Sequence, residues 1–179
     1  MDEATLSTES IYEGRVIRVE RLKVELEDGT QTTREVVRHG GAVAVIARRE
    51  DGRFVFVRQF RKALERDLIE IVAGGIDPGE EPEVAARREL QEESGYAAGT
   101  LAFLGSLFPA PGYTDERIDV FFTEVANEAG DLDPDDDERV EVLLLTREEA
   151  ESMFAAGDCV DGKTLGAWLM FEKRVESDV

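Results

Sequence analysis

Three glutamates, Glu89, Glu92 and Glu93, stand at i, i+3 and i+4 within the stretch GGIDPGEEPEVAARRELQEESGY, which runs from Gly74 to Tyr96. On a helix this spacing puts their carboxylates on one face, within roughly a third of the circumference. Like charges so placed destabilise an isolated helix. Hard oxygen donors clustered in this way are what Mg²⁺ or Mn²⁺ requires. Paired glutamates on a helix are ordinarily a solvated face, but the neighbouring residues add to the pattern. Gly74, Gly75 and Gly79 supply a loop whose backbone can approach a ligand closely. Val84, Ala86 and Leu90 give the opposite face apolar residues that can pack on a sheet.

The elements that must position these residues are readable along the chain. Pro82 to Ser94 is predicted as a helix: Pro82 suits its first position, Glu80, Glu81 and Glu83 suit the positive end of its dipole, and Gly95 closes it. Arg15 to Leu26 alternates apolar and charged residues, Asp28-Gly29 signals a turn, and Thr32 to Val37 completes a hairpin. Ala42 to Ala47 is continuously apolar, the mark of a strand buried on both faces, with Phe54 to Phe60 as its antiparallel neighbour. Leu68 to Val72, Thr100 to Leu107, Ile118 to Val125 and Val140 to Leu145 read as further strands. Thr146-Arg147-Glu148-Glu149 is a capping box opening a helix to about Ala156, and Leu165, Trp168, Leu169 and Glu172 fit a last helix with one apolar face. Hairpins mixed with helices make the class α+β with a mixed sheet.

Gly74, five residues, Glu80, seven residues, Arg88-Glu89-Leu90, one residue, Glu92-Glu93, one residue and Gly95-Tyr96 together reproduce the signature of the Nudix hydrolases. The chain strongly resembles that family. The resemblance implies an α/β/α sandwich and an enzyme that hydrolyses a nucleoside diphosphate linked to another moiety with divalent cations, Mg²⁺ or Mn²⁺. By it, Glu89, Glu92 and Glu93 are metal ligands, the Ala73 carbonyl is a further one, and Glu80 and Arg88 brace the loop against the helix.

The flanks resemble the ADP-ribose pyrophosphatases within that family. Phe108-Pro109-Ala110-Pro111-Gly112-Tyr113-Thr114-Asp115-Glu116-Arg117 is similar to that group's Pro-Gly-Phe-(Ser/Thr)-Asp-Glu segment, and Val57-Arg58-Gln59-Phe60-Arg61 to its Gln-aromatic-Arg strand. Glu70 to Gly75 and Asp161-Gly162-Lys163-Thr164 are similar to its entries to the loop and to the last helix. The resemblance implies cleavage of ADP-ribose or a related ADP-sugar to AMP and a sugar phosphate. It also implies a homodimer formed through a small N-terminal antiparallel sheet that helps hold the adenosine end. Arg34, Glu35, Arg61 and Glu116 are then candidate substrate contacts. The expected organisation is an N-terminal region over 1–38 and a catalytic domain over 39–179.

The acidic run from Asp131 to Glu138 reads as a solvated loop by composition. By the resemblance it supplies a catalytic carboxylate able to take a proton from the attacking water. Glu138 is the first candidate, Asp137 the second and Asp135 the third. Glu93 is carried as both ligand and catalytic residue. His39 has no partner pattern that makes it a catalyst, and Cys159 no basic neighbour that makes it a nucleophile.

Composition bounds the partners. Across 179 residues, 41 acidic side chains face 21 basic ones, a formal net charge of −20. That excludes a general binder of nucleic acid or of anionic membranes, which needs basic surface. It does not exclude a diphosphate, since Glu80, Glu89, Glu92 and Glu93 with the six acids of the run Asp131 to Glu138 make ten that fall where cations are expected. One cysteine and one histidine exclude multi-Cys and His-pair metal sites. The acidic, polar N-terminus and the absence of a long apolar run point to a cytoplasmic protein. Two other readings remain open at this stage. One is a pyrophosphatase for another nucleoside diphosphate sugar, such as GDP-mannose. The other is a non-catalytic nucleotide-sensing module, against which the complete glutamate triad speaks.

Overall fold

The structure is a computed structural model and describes residues 2–131 and 139–175. The chain divides into two compact units. One holds the residues up to Gly41 together with Phe108–Arg117, the other Ala42–Leu107 with Ile118 onward.

The first unit is an antiparallel sheet of β1 (Glu3–Glu13), β2 (Ile17–Leu26) and β3 (Gln31–His39). The β2–β3 hairpin agrees with the expected one and pairs from Ile17–His39 to Glu25–Gln31. Strand β1 is not legible as an alternating pattern. All eleven of its residues are exposed, so no buried face imposes a period of two. Its Thr, Ile and Tyr content favours extended backbone, and the pairing with β2 from Glu3–Leu26 to Glu13–Arg18 makes it a strand. The segment Phe108–Arg117 is hooked onto β3: the Val37 N–H donates to the Tyr113 carbonyl at 2.8 Å and the Asp115 N–H to the Val37 carbonyl at 3.2 Å.

The second unit runs β4 (Ala42–Arg49), β5 (Phe54–Arg61), β6 (Arg66–Glu70), β7 (Val72–Gly75), α1 (Pro82–Ser94), β8 (Ala102–Leu107), β9 (Ile118–Val125), β10 (Val140–Leu145), α2 (Arg147–Ala156) and α3 (Gly162–Arg174). Its seven strands form one mixed sheet, in which β4 and β9 pair in parallel and the other pairs are antiparallel. Alternate residues of β4 face opposite layers. Val43, Val45 and Ala47 pack with Val55, Val57, Ala85, Ala86 and Leu90 on the α1 side. Ala42, Ala44 and Ile46 pack with Phe54, Phe56, Trp168 and Phe171 on the α2 and α3 side. This is the expected α/β/α sandwich.

Where β4 meets β5 the sheet departs from the simple hairpin. Only Ala47–Val55 and Arg48–Phe54 pair. Beyond them β5 leaves to join β6, and β7 takes its place along β4 from Ala42–Gly75 to Val45–Val72. The single strand expected over Leu68 to Val72 is accordingly broken at Ile71. The split lays Val72–Gly75, the entry to the glycine loop, beside β4.

Two helix faces differ from the sequence expectation. On α1 the buried arc is Ala85, Ala86, Glu89, Leu90, Glu93 and Ser94, while Val84 is exposed. The apolar and carboxylate faces adjoin rather than oppose each other, so two of the three glutamates are drawn into the protein. On α3 the buried residues are Thr164, Ala167, Trp168 and Phe171, while Leu165 and Leu169 are exposed. Small Thr164 and Ala167 let this helix close onto the sheet, a stripe that a search for large apolar residues passes over. The helix ends follow the sequence: Gly95 closes α1 at φ 73°, in the left-handed region, and Thr146 with Glu149 forms the expected capping box.

Candidate active site

Helix α1 lies against β7 with Arg88 at the centre of the site. Its Nε and Nη2 donate to the two Glu80 oxygens at 3.0 and 2.9 Å, and Nη2 also donates to the Gly75 carbonyl at 2.9 Å. Glu80 in turn accepts from the Asp77 N–H at 3.0 Å. The planar guanidinium fork suits this bidentate role, and the result fastens the glycine loop to the helix. Arg88 Nη1 donates to Glu89 at 2.7 Å and to Glu92 at 3.0 Å. The Glu80 bonds, aided by Glu89 and Glu92, hold the Arg88 pKa far above its ordinary value. The Arg88 bonds likewise hold the Glu80 carboxyl below the usual range.

Glu93 is 2% exposed and accepts from the Ala73 N–H at 3.2 Å. Glu89 is 9% exposed and packs directly under Gly74, where a built Cβ would overlap its carboxylate carbon and both oxygens. The motif therefore sets two buried carboxylates against the backbone of Ala73 and Gly74, with the Glu92 carboxylate beside them on Arg88. Among the described residues, no three His, Cys, Asp or Glu side chains converge on one point at metal-holding distance; Arg88 lies between Glu89 and Glu92. The donors nevertheless suit a divalent cation. All are hard oxygens, two are buried carboxylates needing counter-charge, and a glycine keeps the space over Glu89 clear.

A second polar cluster lies in the same unit. Glu70, 1% exposed, accepts from Arg61 Nε and Nη2 at 2.7 Å each and pairs with Lys163. Burial pushes the Glu70 carboxyl up, but the bonds to Arg61 and the Lys163 charge outweigh it and the net shift is downward. Arg61 is raised mainly by its bonds to Glu70, against its own burial, and Glu93 is among the charges that favour it. Arg61, expected as a substrate contact, is thus held from behind by a carboxylate.

In the first unit Arg34 donates to both Glu3 oxygens, at 3.1 and 2.7 Å, and Glu35 lies 3.8 Å from Arg21. Both line a cleft of about 390 Å³ together with Leu22, Val24, Pro111 and Tyr113. In the same unit Asp115 accepts from the His39 N–H at 2.9 Å and from Arg38 at 3.0 Å, while Glu116 donates its N–H to Thr114 at 3.1 Å. His39 uses Nδ1 to accept the Gly41 N–H, and burial raises the Cys159 thiol pKa. Asp135, Asp137 and Glu138 lie outside the described residues.

Sequence reasoning missed Glu70, Lys163, Asp161, Asp115 and Arg38 as individual participants. All but Arg38 sit inside segments noted for their resemblance, but the pairs Arg38–Asp115 and Glu70–Lys163 are far apart in sequence, and only the fold brings them together.

Comparison with known proteins agrees with this architecture. Residues 38–163 match the NUDIX domain model, and residues 3–37 match the model for the nucleoside diphosphate sugar hydrolase N-terminal domain. The chain belongs to the Nudix hydrolase family, whose members generally need divalent metal ions. It is 42% identical to the ADP-ribose pyrophosphatase of Bacillus subtilis strain 168, over 92% of this chain and 89% of that protein. It is 40% identical to the methanol dehydrogenase activator of Bacillus methanolicus, with the same coverage of 92% and 89%. To the GDP-mannose pyrophosphatase of Citrobacter koseri it is 35% identical, over 77% of this chain and 80% of that protein. In fold it is similar to an ADP compounds hydrolase crystal structure, with a TM-score of 0.85 at 23% identity, covering 99% of this chain and 96% of the other. No helix among the described residues is long and apolar enough to cross a membrane.

Proposed function

We propose that this enzyme hydrolyses the diphosphate linkage of ADP-ribose or a related ADP-sugar to AMP and a sugar phosphate, using Mg²⁺ or Mn²⁺. The observation that carries the reading is the complete glutamate set on α1, braced by Arg88, in a chain so similar to an ADP-ribose pyrophosphatase over nearly its whole length. Glu89, Glu92, Glu93 and the Ala73 carbonyl would hold the cation. When bound, it would neutralise the diphosphate and lower the pKa of a coordinated water.

The remaining roles belong to the chain's own side chains. Arg88 and Glu80 keep the glycine loop closed on α1, so that Ala73 and Glu93 stay adjacent. Arg61 offers a guanidinium to the nucleotide, able to stack on a base or pair with phosphate. Arg34, Glu35 and Glu116 are further substrate contacts. A carboxylate of the acidic run, Glu138 first and Asp137 next, accepts the proton of the attacking water. The N-terminal region over 1–38 acts as a dimerisation and substrate-contact module, and the rest of the chain as the catalytic domain.

The similarity to a GDP-mannose pyrophosphatase favours one second reading, a different nucleoside diphosphate sugar. A substrate panel separates the two: kcat/KM is expected to be at least about tenfold higher for ADP-ribose than for GDP-mannose. No turnover of ADP-ribose with fast turnover of GDP-mannose would reverse the assignment.

Strand β1 supports the homodimer. Leu6, Ile11 and Tyr12 on it and Val16 just beyond are exposed, apolar side chains that a second copy can cover. Sedimentation at micromolar concentration should give about twice the 19.9 kDa chain mass. A species at the chain mass itself would contradict the dimer.

A further inference from the structure

Three consecutive residues at the junction of β6 and β7 are gripped by the segment that opens α3. The Cys159 thiol donates to the Ile69 carbonyl at 3.3 Å, Lys163 pairs with the Glu70 carboxylate, and Thr164 Oγ1 accepts the Ile71 N–H at 3.0 Å. Asp161 organises the gripping side. It caps α3 by accepting the Thr164 N–H at 2.9 Å, accepts the Thr164 hydroxyl at 2.6 Å and lies 3.1 Å from Lys163.

Glu70 is the unusual member. A carboxylate 1% exposed carries a large desolvation cost. Ion pairs this deep often add little stability beyond what apolar side chains of similar volume would supply. Stability alone therefore does not account for a charge at this position. Its geometry does: Glu70 takes two parallel bonds of 2.7 Å from Arg61, which fixes both the place and the plane of the guanidinium. Lys163 supplies a second cation on the same carboxylate.

We propose that Glu70 is a positioning residue for substrate binding, acting through Arg61, with Lys163 and the Asp161-capped start of α3 holding the carboxylate in place. The proposal rests on Arg61 as a substrate contact. A guanidinium fixed from behind loses less freedom when it meets a ligand, so the contribution of Glu70 falls on substrate affinity rather than on the chemical step.

A double-mutant cycle tests this with full-length protein, ADP-ribose and Mg²⁺, and with GDP-mannose as the second probe. Glu70→Gln is expected to raise KM about tenfold with kcat changed by less than about threefold, the pattern of lost binding. Arg61→Ala is expected to raise KM at least as much, and Arg61→Ala with Glu70→Gln to raise it no further. Glu70→Asp keeps the charge, and with it the fold, but withdraws the carboxylate by one methylene; it should give an intermediate KM. A lowered Tm with unchanged KM in both Glu70 variants would overturn the proposal, leaving Glu70 a merely structural group. Effects that multiply in the double variant would also overturn it. An unchanged KM in Arg61→Ala alone would remove the reading of Arg61 itself and the proposal with it. A wild-type enzyme that turns over GDP-mannose but not ADP-ribose would instead remove only the substrate assignment, and the same cycle then reads out on GDP-mannose.

Discussion

Glu93→Gln is expected to lower the rate of metal-dependent hydrolysis by roughly 10²–10³-fold while leaving the fold intact. Glutamine has nearly the shape of glutamate, and its carbonyl oxygen can still accept the Ala73 N–H now bonded to Glu93 at 3.2 Å. The Ala73 contact between α1 and β7 therefore survives while the charge is lost. That charge is the feature a divalent cation needs. Glu93 is 2% exposed, so no bulk water stands ready to replace a missing ligand. Circular dichroism and Tm should match the wild type, while the Mg²⁺ concentration giving half-maximal rate should rise. Unaffected hydrolysis at ordinary Mg²⁺ would show that the metal assignment on α1 is wrong.

Gly74→Ala should be nearly as damaging to activity, for a steric reason. The backbone at Gly74 is not in the left-handed region, so alanine meets no conformational barrier there. Its methyl group, however, would fall onto the Glu89 carboxylate, which packs directly beneath. Glu89 cannot withdraw freely, because it is also bonded to Arg88 at 2.7 Å. Either the carboxylate rotates away, breaking that bond, or β7 shifts off α1. Both outcomes disturb the Ala73–Glu93 contact one residue away. The expected result is a fall in kcat of about 100-fold, with a stability loss of about 1–3 kcal/mol typical of overpacking. Gly75→Ala is the matched control for stability, because a Cβ there meets nothing within 4 Å. Its denaturation midpoint should stay close to wild type, and equal losses of stability in the two variants would contradict the close packing of Gly74 on Glu89.

How much of this was legible without coordinates differs by element, and the differences have physical causes. Helix α1 was readable to the residue, because Pro82 and Gly95 act on the backbone itself and need no tertiary partner. The Thr146 capping box was readable for the same reason. Strand β1 was not, since with both faces exposed its extended form depends on pairing with β2. The orientation of α3 differs from the large-apolar pattern because its buried stripe uses Thr164 and Ala167 where large Leu165 and Leu169 stand exposed. In the site, the spacing of Glu89, Glu92 and Glu93 announced a carboxylate-bearing stretch of α1, and the helix sets Glu89 and Glu92 on Arg88 and Glu93 on the Ala73 N–H. The further role of Arg88, bridging Glu89 and Glu92, and the burial of Glu89 depend on how closely β7 approaches the helix. Glu70 could not be read at all: Arg61, Glu70 and Lys163 meet only when β5, β6 and α3 have packed.

The strongly acidic chain bears on the same chemistry. A net charge of −20 opposes a diphosphate unless cations intervene. Within the described site Arg61 and Arg88 set guanidinium charge against neighbouring carboxylates, and both have pKa values raised by them.

The most direct test of the central claim is to incubate the enzyme with ADP-ribose across a Mg²⁺ titration and to identify the products by mass spectrometry. The account predicts AMP and ribose 5-phosphate in equal amounts, rising with Mg²⁺ and falling to background when the metal is chelated. Undiminished cleavage in the presence of a chelator, or AMP-free products at saturating Mg²⁺, would contradict it.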